Sequence, residues 1–250
     1  MYESNLSNSD RDSEREPDWA WRTDLSVSQG LQISRDLRAT VIADLVGQVW
    51  DHYEGFSQIG SGLTTALRYR FGLGREAPWL SLENRIAYDR FHETFRSGWD
   101  EVVRFRGGIA ISQRVGLEAG YTFENFTVPD NFFDVQSHRA DVRVIADLTS
   151  FMQLAVGYAY REGDVISYAI PPRPEIARFA IERENVATFG TDPLRTAYRF
   201  RGQTHALTLS AGYALTKHAS LQVEYEYSVT VHDPLKYQNH FVGAKLAYSF

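Results

Sequence analysis

The sequence predicts an all-β fold, an antiparallel up-and-down transmembrane β-barrel of about twelve strands. Three observations predict it. Apolar and polar residues alternate over unusually long segments, one hairpin unit recurs along the chain, and short connections take turns with long ones.

The alternation is clearest at 219–231. Ala219, Leu221, Val223, Tyr225, Tyr227, Val229 and Val231 interleave with Ser220, Gln222, Glu224, Glu226, Ser228 and Thr230. Successive side chains of a strand point to opposite faces, so all the apolar residues share one face; a helix would scatter them. Soluble strands usually run about 5 or 6 residues. This segment reaches the roughly 9 to 11 tilted residues that cross a membrane. The pattern returns at 148–160, 115–123 and 63–71, where the second face carries small and charged residues, as a wet lumen requires.

The repeated unit reads apolar–Ser/Thr–x–x–apolar–x–apolar–x–Ala/Val. It occurs at 33–41, 111–119, 148–156 and 215–223, and in the last three a tyrosine follows two residues later (Tyr121, Tyr158, Tyr225). Each is read as a tight hairpin, and a fifth tight connection spans 72–78. Repetition of one hairpin unit is how closed barrels are assembled. The remaining connections, near 52–60, 93–99, 126–133, 163–197 and 232–237, are longer or irregular. Outer-membrane barrels segregate short periplasmic turns from longer external loops in this way. A soluble sandwich, the competing architecture, has no reason to do so.

The predicted strands are 17–33, 37–51, 61–72, 78–92, 99–112, 115–126, 134–148, 151–163, 198–215, 218–231 and 237–250, in a single domain covering 1–250. An odd count is awkward for a single-chain bacterial barrel. A twelfth strand is therefore expected upstream, with 1–6 as its last residues and 7–16 as an external loop. An outer-membrane chain also needs an export signal, and none is visible before the polar Ser/Asp/Glu/Arg segment. The sequence is thus read as a mature or shortened form.

Composition supports the reading and excludes others. Mean hydropathy is −0.36, and no stretch approaches the roughly 18 to 20 apolar residues of a membrane helix. Alternating strands average out as mildly polar, so a barrel remains allowed. Aromatic residues reach 14%, which suits interfacial belts, and Trp19, Trp21, Trp50, Trp79 and Trp99 fall near predicted strand ends. Cysteine is absent, as suits passage through an oxidising periplasm. The net charge of −6 and the lack of a basic run argue against nucleic-acid binding.

The chain's two ends resemble known proteins. The alternating Leu246, Tyr248 and terminal Phe250 resemble the β-signal read by the barrel-assembly machinery, although Gly243 lies farther from the end than usual. Tyr2-Glu3-Ser4-Asn5 resembles the Tyr-Asp/Glu-Ser-Asn opening of uncharacterised porin-like Gram-negative outer-membrane barrels, where it ends the first strand. The resemblance implies an outer-membrane location, with lipids and the assembly machinery as partners. It assigns no ligand.

Arginines are the candidate functional residues. By parity Arg68, Arg70, Arg85, Arg104, Arg106, Arg139, Arg143 and Arg161 point inward, with Glu83, Asp89, Glu118, Asp141, Asp147, Glu224 and Glu226 opposite or beside them. Guanidinium groups bind carboxylate, sulfate and phosphate bidentately, so such a row suits an acidic oligosaccharide or other anion. Arg104, Arg106, Arg139 and Arg143 form the expected selectivity zone. The alternative is that these charges pair across strands and fill the lumen.

The segment 163–197, with its Ile170-Pro171-Pro172-Arg173-Pro174 and Gly190-Thr191-Asp192-Pro193 runs, is expected to fold into the mouth or project outward. No cofactor, metal site or enzyme activity is expected, because the histidines are scattered and lack metal-ligand spacing. The least poor hydrolase pairing is His205 with Ser210 or Thr204. The leading expectation is a porin-like channel for small or acidic solutes. The alternatives are an occluded structural or assembly barrel working with a partner, and a barrel hydrolase acting on lipid or lipopolysaccharide.

Overall fold

Long alternating segments without an interior proline fold as long strands, and a computed structural model contains eleven of them. It describes residues 1–250 except 73, 75, 191, 192 and 250. The full-length strands are β2 (Asp18–Gln32), β3 (Leu37–Trp50), β4 (Gln58–Arg70), β5 (Trp79–Phe91), β6 (Gly98–Ala110), β7 (Val115–Thr127), β8 (Val135–Asp147), β9 (Met152–Ala169), β11 (Arg195–Ala214), β12 (Ala219–His232) and β13 (Leu235–Tyr248). A two-residue strand, β1 (Tyr2–Glu3), lies between β13 and β2, and pairing of β9 with β11 closes the ring. The result is a closed twelve-strand antiparallel barrel.

The extra strand, β10 (Ile181–Val186), pairs with the outer extension of β11, beyond the point where β12 stops pairing with it. Much of 163–197 is strand, because β9 and β11 stay paired from Met152↔Tyr213 to Ala169↔Thr196. The connection proper carries β10 and one helical turn, α1 (Pro174–Ala177). The last outer connection is tight rather than long, since His232 already pairs with Leu235. Of residues 1–6, expected to end a first strand, Tyr2 and Glu3 pair with both neighbours, and Met1 and Ser4 extend the ladder through backbone bonds to Ala20 and His240. Among the described residues no backbone pairing joins β13 to β2 toward the short turns, where Lys245 Nζ and Asp24 Oδ2 meet at 3.2 Å.

The repeated unit has a physical explanation in the turns. In each copy the Ser or Thr hydroxyl accepts the backbone N–H three residues on: Ser34 from Leu37 (3.2 Å), Ser112 from Val115 (3.1 Å), Thr149 from Met152 (3.0 Å) and Thr216 from Ala219 (2.9 Å). A short hydroxyl side chain thereby replaces a backbone partner in the turn.

Outside the turns the apolar face points outward. Leu25, Leu45, Leu63, Ile86, Val144, Val156, Leu209 and Val223 are all exposed. In water so continuous an apolar surface invites association; against lipid it is the matching surface. Aromatic residues flank it toward the short turns, with Tyr69 against Phe71 and Phe151 against Tyr213. The tryptophans divide. Trp19, Trp21 and Trp99 face outward, as a belt requires, with Trp21 85% exposed. Trp50 and Trp79 correct the expectation. The first is 5% exposed inside an apolar cluster, and the second lines the lumen beneath Arg68. Both sit at positions whose parity points inward.

Candidate functional site: a charged lumen beneath a capped mouth

Lumen positions alternate with the lipid-facing ones, so each strand contributes every second side chain to the interior. Eight strands make a barrel whose interior side chains fill it, and larger barrels enclose cavities or channels. This barrel holds a cavity of about 730 Å³. Arg22, Arg85, Arg104, Arg106 and Arg139 line it, together with Asp24, Asp44, Glu83, Asp89, Asp100, Glu124 and Asp141. Acids outnumber arginines here, so the wall is mixed rather than an arginine track.

Several charges lie along the wall in pairs. Arg85 spans from Asp100 on the adjacent β6 (3.1 Å) to Asp44 on β3 (3.0 Å), crossing β4. It crosses over Gly62, where a Cβ would stand 2.9 Å from the guanidinium and 3.0 Å from Asp44. Arg104 pairs with Glu83 (2.6 Å) and Arg143 with Glu118 (2.5 Å). Among the described residues no carboxylate lies within ion-pair distance of Arg106 or Arg139. The four arginines expected to form one zone are therefore split: two are paired, two are available, and Arg143 does not line the large cavity. Arg68 and Arg70 sit apart, in a smaller cavity of about 190 Å³ at the short-turn end, with Arg114, Glu118 and Asp147. Arg161 donates to the Asp164 carbonyl (3.1 Å).

The opposite end is closed by a cap, in which 163–197 takes the first of its two expected courses, into the mouth, and the other outer connections and the N-terminal segment join it unforeseen. Leu6, Trp50, Phe56, Val128, Phe132, Phe133, Tyr168 and Val186 form one buried cluster, with Tyr53, Phe95 and Phe189 packed on it. Four outer connections and the N-terminal segment meet there. The segment crosses the mouth: Asn5 Nδ2 donates to the Gln238 carbonyl on β13, and Asn8 Nδ2 donates to the Ile166 carbonyl on β9. Within 7–16, expected to be an external loop, Ser7, Ser9 and Glu14 are buried in this cap while Arg11, Asp12 and Ser13 stay exposed. Buried arginines hold it. Arg173 reaches Asp10 (2.6 Å), Glu14 (3.2 Å) and Glu175 (2.6 Å), and Arg195 pairs with Glu16. Tyr53 also donates to Glu16; burial first, then this bond, pushes the phenol up, so it stays a donor. The spaced aromatics of the outer connections were the available signal, but residues far apart in sequence show no common target.

Two remaining groups bear on chemistry. Thr204 bonds Thr230 across the lumen side (2.8 Å), whereas His205 faces outward and meets Tyr158 (2.7 Å). Neither Thr204 nor Ser210 can share a face with His205, because their positions differ in parity, so the hydrolase pairing is not assembled. Asp18, Asp51 and His52 bring three ligand-type atoms within 4.8 Å of one another. The Asp18 carboxylate is already engaged by the backbone N–H groups of His52 and Tyr53 (3.2 and 3.0 Å) and by the His52 ring (3.0 Å), which ties down the loop.

Residues 78–250 match the family model of the outer membrane protein beta-barrel domain. The chain belongs to this family. It is a β-barrel protein of the Gram-negative outer membrane. Among solved structures the barrel is similar to an outer membrane channel from Pseudomonas putida F1, at 11% identity and a TM-score of 0.63, covering 98% of this chain and 92% of that one. The NanC porin aligns with a TM-score of 0.46 at 12% identity, covering 100% and 98%. The translocator domain of the autotransporter NalP from Neisseria meningitidis aligns with a TM-score of 0.41 at 10% identity, covering 94% and 81%. At these identities the likeness is one of fold. No curated protein matches the sequence significantly. On the last strand, Leu246 and Tyr248 face outward, while Phe250 lies outside the described residues.

Proposed function

We propose that this barrel is an outer-membrane channel for small polar or charged solutes, with the cap as its outer closure. The observation that carries the reading is the interior: a charged cavity of about 730 Å³ occupies the place where a purely structural barrel would pack side chains. Its mixed wall suits small solutes of either sign. Anion preference, including any for acidic oligosaccharides, rests on Arg106 and Arg139 in the cavity and on Arg68, Arg70 and Arg114 at the short-turn end. Leu246 and Tyr248, exposed on the final strand, are the surface we assign to the barrel-assembly machinery.

Planar-bilayer recording tests the channel. The expected result is stepwise conductance that rises when the cap is loosened by Phe56→Ser with Phe133→Ser. Silence from both the intact and the loosened protein overturns it. That outcome favours the second reading, an occluded barrel acting with a partner protein, for which the apolar cap is the supporting observation.

A further inference from the structure

Three outward-facing sites share one sequence and one geometry that the lumen does not use. Gln136-Ser137-His138 on β8, Gln203-Thr204-His205 on β11 and Gln238-Asn239-His240 on β13 all read Gln-x-His. The strands beside them carry Tyr121-Thr122-Phe123, Tyr158-Ala159-Tyr160 and Tyr225-Glu226-Tyr227, each Tyr-x-Phe/Tyr. The register is the same each time: His138 opposes Phe123, His205 opposes Tyr160 and His240 opposes Tyr227. In each site the first tyrosine's hydroxyl reaches the histidine Nδ1, at 2.6, 2.7 and 2.9 Å. Both aromatic rings lie against the imidazole, with centroids 5.0 to 6.2 Å away.

The depth of these sites is defined by their neighbours. Toward the short turns the same face is apolar, with Val142 on β8, Leu207 on β11 and Val242 on β13 all exposed. Toward the outer end it turns polar at the glutamines. The sites therefore ring the outer edge of the apolar band, where lipid headgroups begin. They fall between β7 and β8, β9 and β11, and β12 and β13. That is two strands apart, or roughly 10 Å at ordinary strand spacing.

The hydrogen bond sets the chemistry. The contact with the tyrosine engages Nδ1 and leaves Nε2 as the ring nitrogen directed away from it; with the tyrosine O–H as donor, Nε2 carries the imidazole proton. The glutamine two residues outward on the same face adds an amide donor. Two carboxylates on β9 adjoin the first two sites. Glu162, opposite His138 on one side and Gln203 on the other, accepts from Tyr160 (3.4 Å) and has Arg201 3.8 Å away. Asp164 accepts the Gln136 backbone N–H (3.0 Å). Stapling neighbouring strands would require the tyrosine and histidine, but neither a second ring nitrogen turned outward nor a glutamine beside it. Those donors need acceptors at headgroup depth, and phosphate oxygens are the strongest acceptors there.

We propose that the three Gln-x-His sites bind the phosphate groups of outer-leaflet glycolipid, each through histidine Nε2–H and the neighbouring glutamine amide. This rests on the outer-membrane location and is independent of the channel reading. The test is native mass spectrometry of the refolded full chain in detergent, with bis-phosphorylated lipid A and with its dephosphorylated form. The intact barrel should retain the phosphorylated lipid roughly fivefold better, as one or two net hydrogen bonds allow. His138→Phe with His205→Phe and His240→Phe should abolish that preference while the heat-dependent gel shift of a folded barrel persists. Should the triple variant not fold, the single variants should each lower the retained bis-phosphorylated lipid A stepwise. Tyr121→Phe with Tyr158→Phe and Tyr225→Phe should weaken the preference by releasing the tautomer. Equal retention of both lipids by the intact protein, or an unchanged preference with only a lower melting temperature in the histidine variants, overturns the proposal.

Discussion

The Nη1 of Arg173 lies 3.2 Å from Oε2 of Glu14 inside the outer cap, with the two side chains only 1% and 5% exposed. A buried pair of this kind is costly to break from one side, because it leaves the other charge uncompensated. Arg173→Ala is expected to destabilise the cap by about 3 kcal/mol and to raise conductance. Adding Glu14→Gln should restore part of the stability, because the stranded charge is gone. Denaturant unfolding in detergent and bilayer recording check the two effects.

In the lumen, the bridge from Asp44 through Arg85 to Asp100 sets the local charge balance. Arg85→Gln leaves both acids facing the cavity without their cation. The reversal potential in a salt gradient should move toward cation selectivity. Gly62→Leu should move it the same way, because its side chain occupies the path that Arg85 takes across β4. Arg139→Glu should shift selectivity further still, by replacing an available cation with an acid.

The exposed His52 titrates above its ordinary value of 6.5, mainly because its ring bonds the Asp18 carboxylate and secondarily because Asp51 lies beside it. A raised value means the charged form is the one favoured by folding. Its contribution to holding the loop is complete below the unfolded value and is lost as pH rises through the folded one. Histidine NMR titration should place His52 above 6.5 in the native protein and nearer 6.5 after Asp51→Asn.

The turn hydroxyls should matter individually. Thr149→Ala and Thr216→Ala each remove an acceptor from a short turn. Each is expected to cost about 1 kcal/mol, and the two should add, since they lie in separate hairpins. Urea unfolding midpoints of the single and double variants test this; loss well beyond additivity would count against independent turns.

The architecture was legible because every strand repeats the same local rule. Alternation over 219–231 defines a face without reference to any other strand, and the Ser/Thr turn unit defines where the chain reverses. The inward direction of Arg85, Arg104, Arg106 and Arg139 followed from parity alone. What those residues meet did not. Arg85 reaches across β4 to Asp44 only because Gly62 leaves a gap there, a relation spanning three strands. The parity of Trp50 and Trp79 points inward as well, and it outweighs their nearness to strand ends, which by itself suggests a belt.

By itself, then, the sequence determined the class of fold, the sidedness of the loops and the two faces of each strand, because these depend on period and turn chemistry within a few residues. Only the tertiary structure decided which charges pair and that the mouth is capped. It also decided that three Gln-x-His segments share one depth on the lipid face. Ring closure is what brings β9 beside β11 and carries Asn5 and Asn8 across the mouth, and contacts between residues so distant in the chain leave no periodic trace in it.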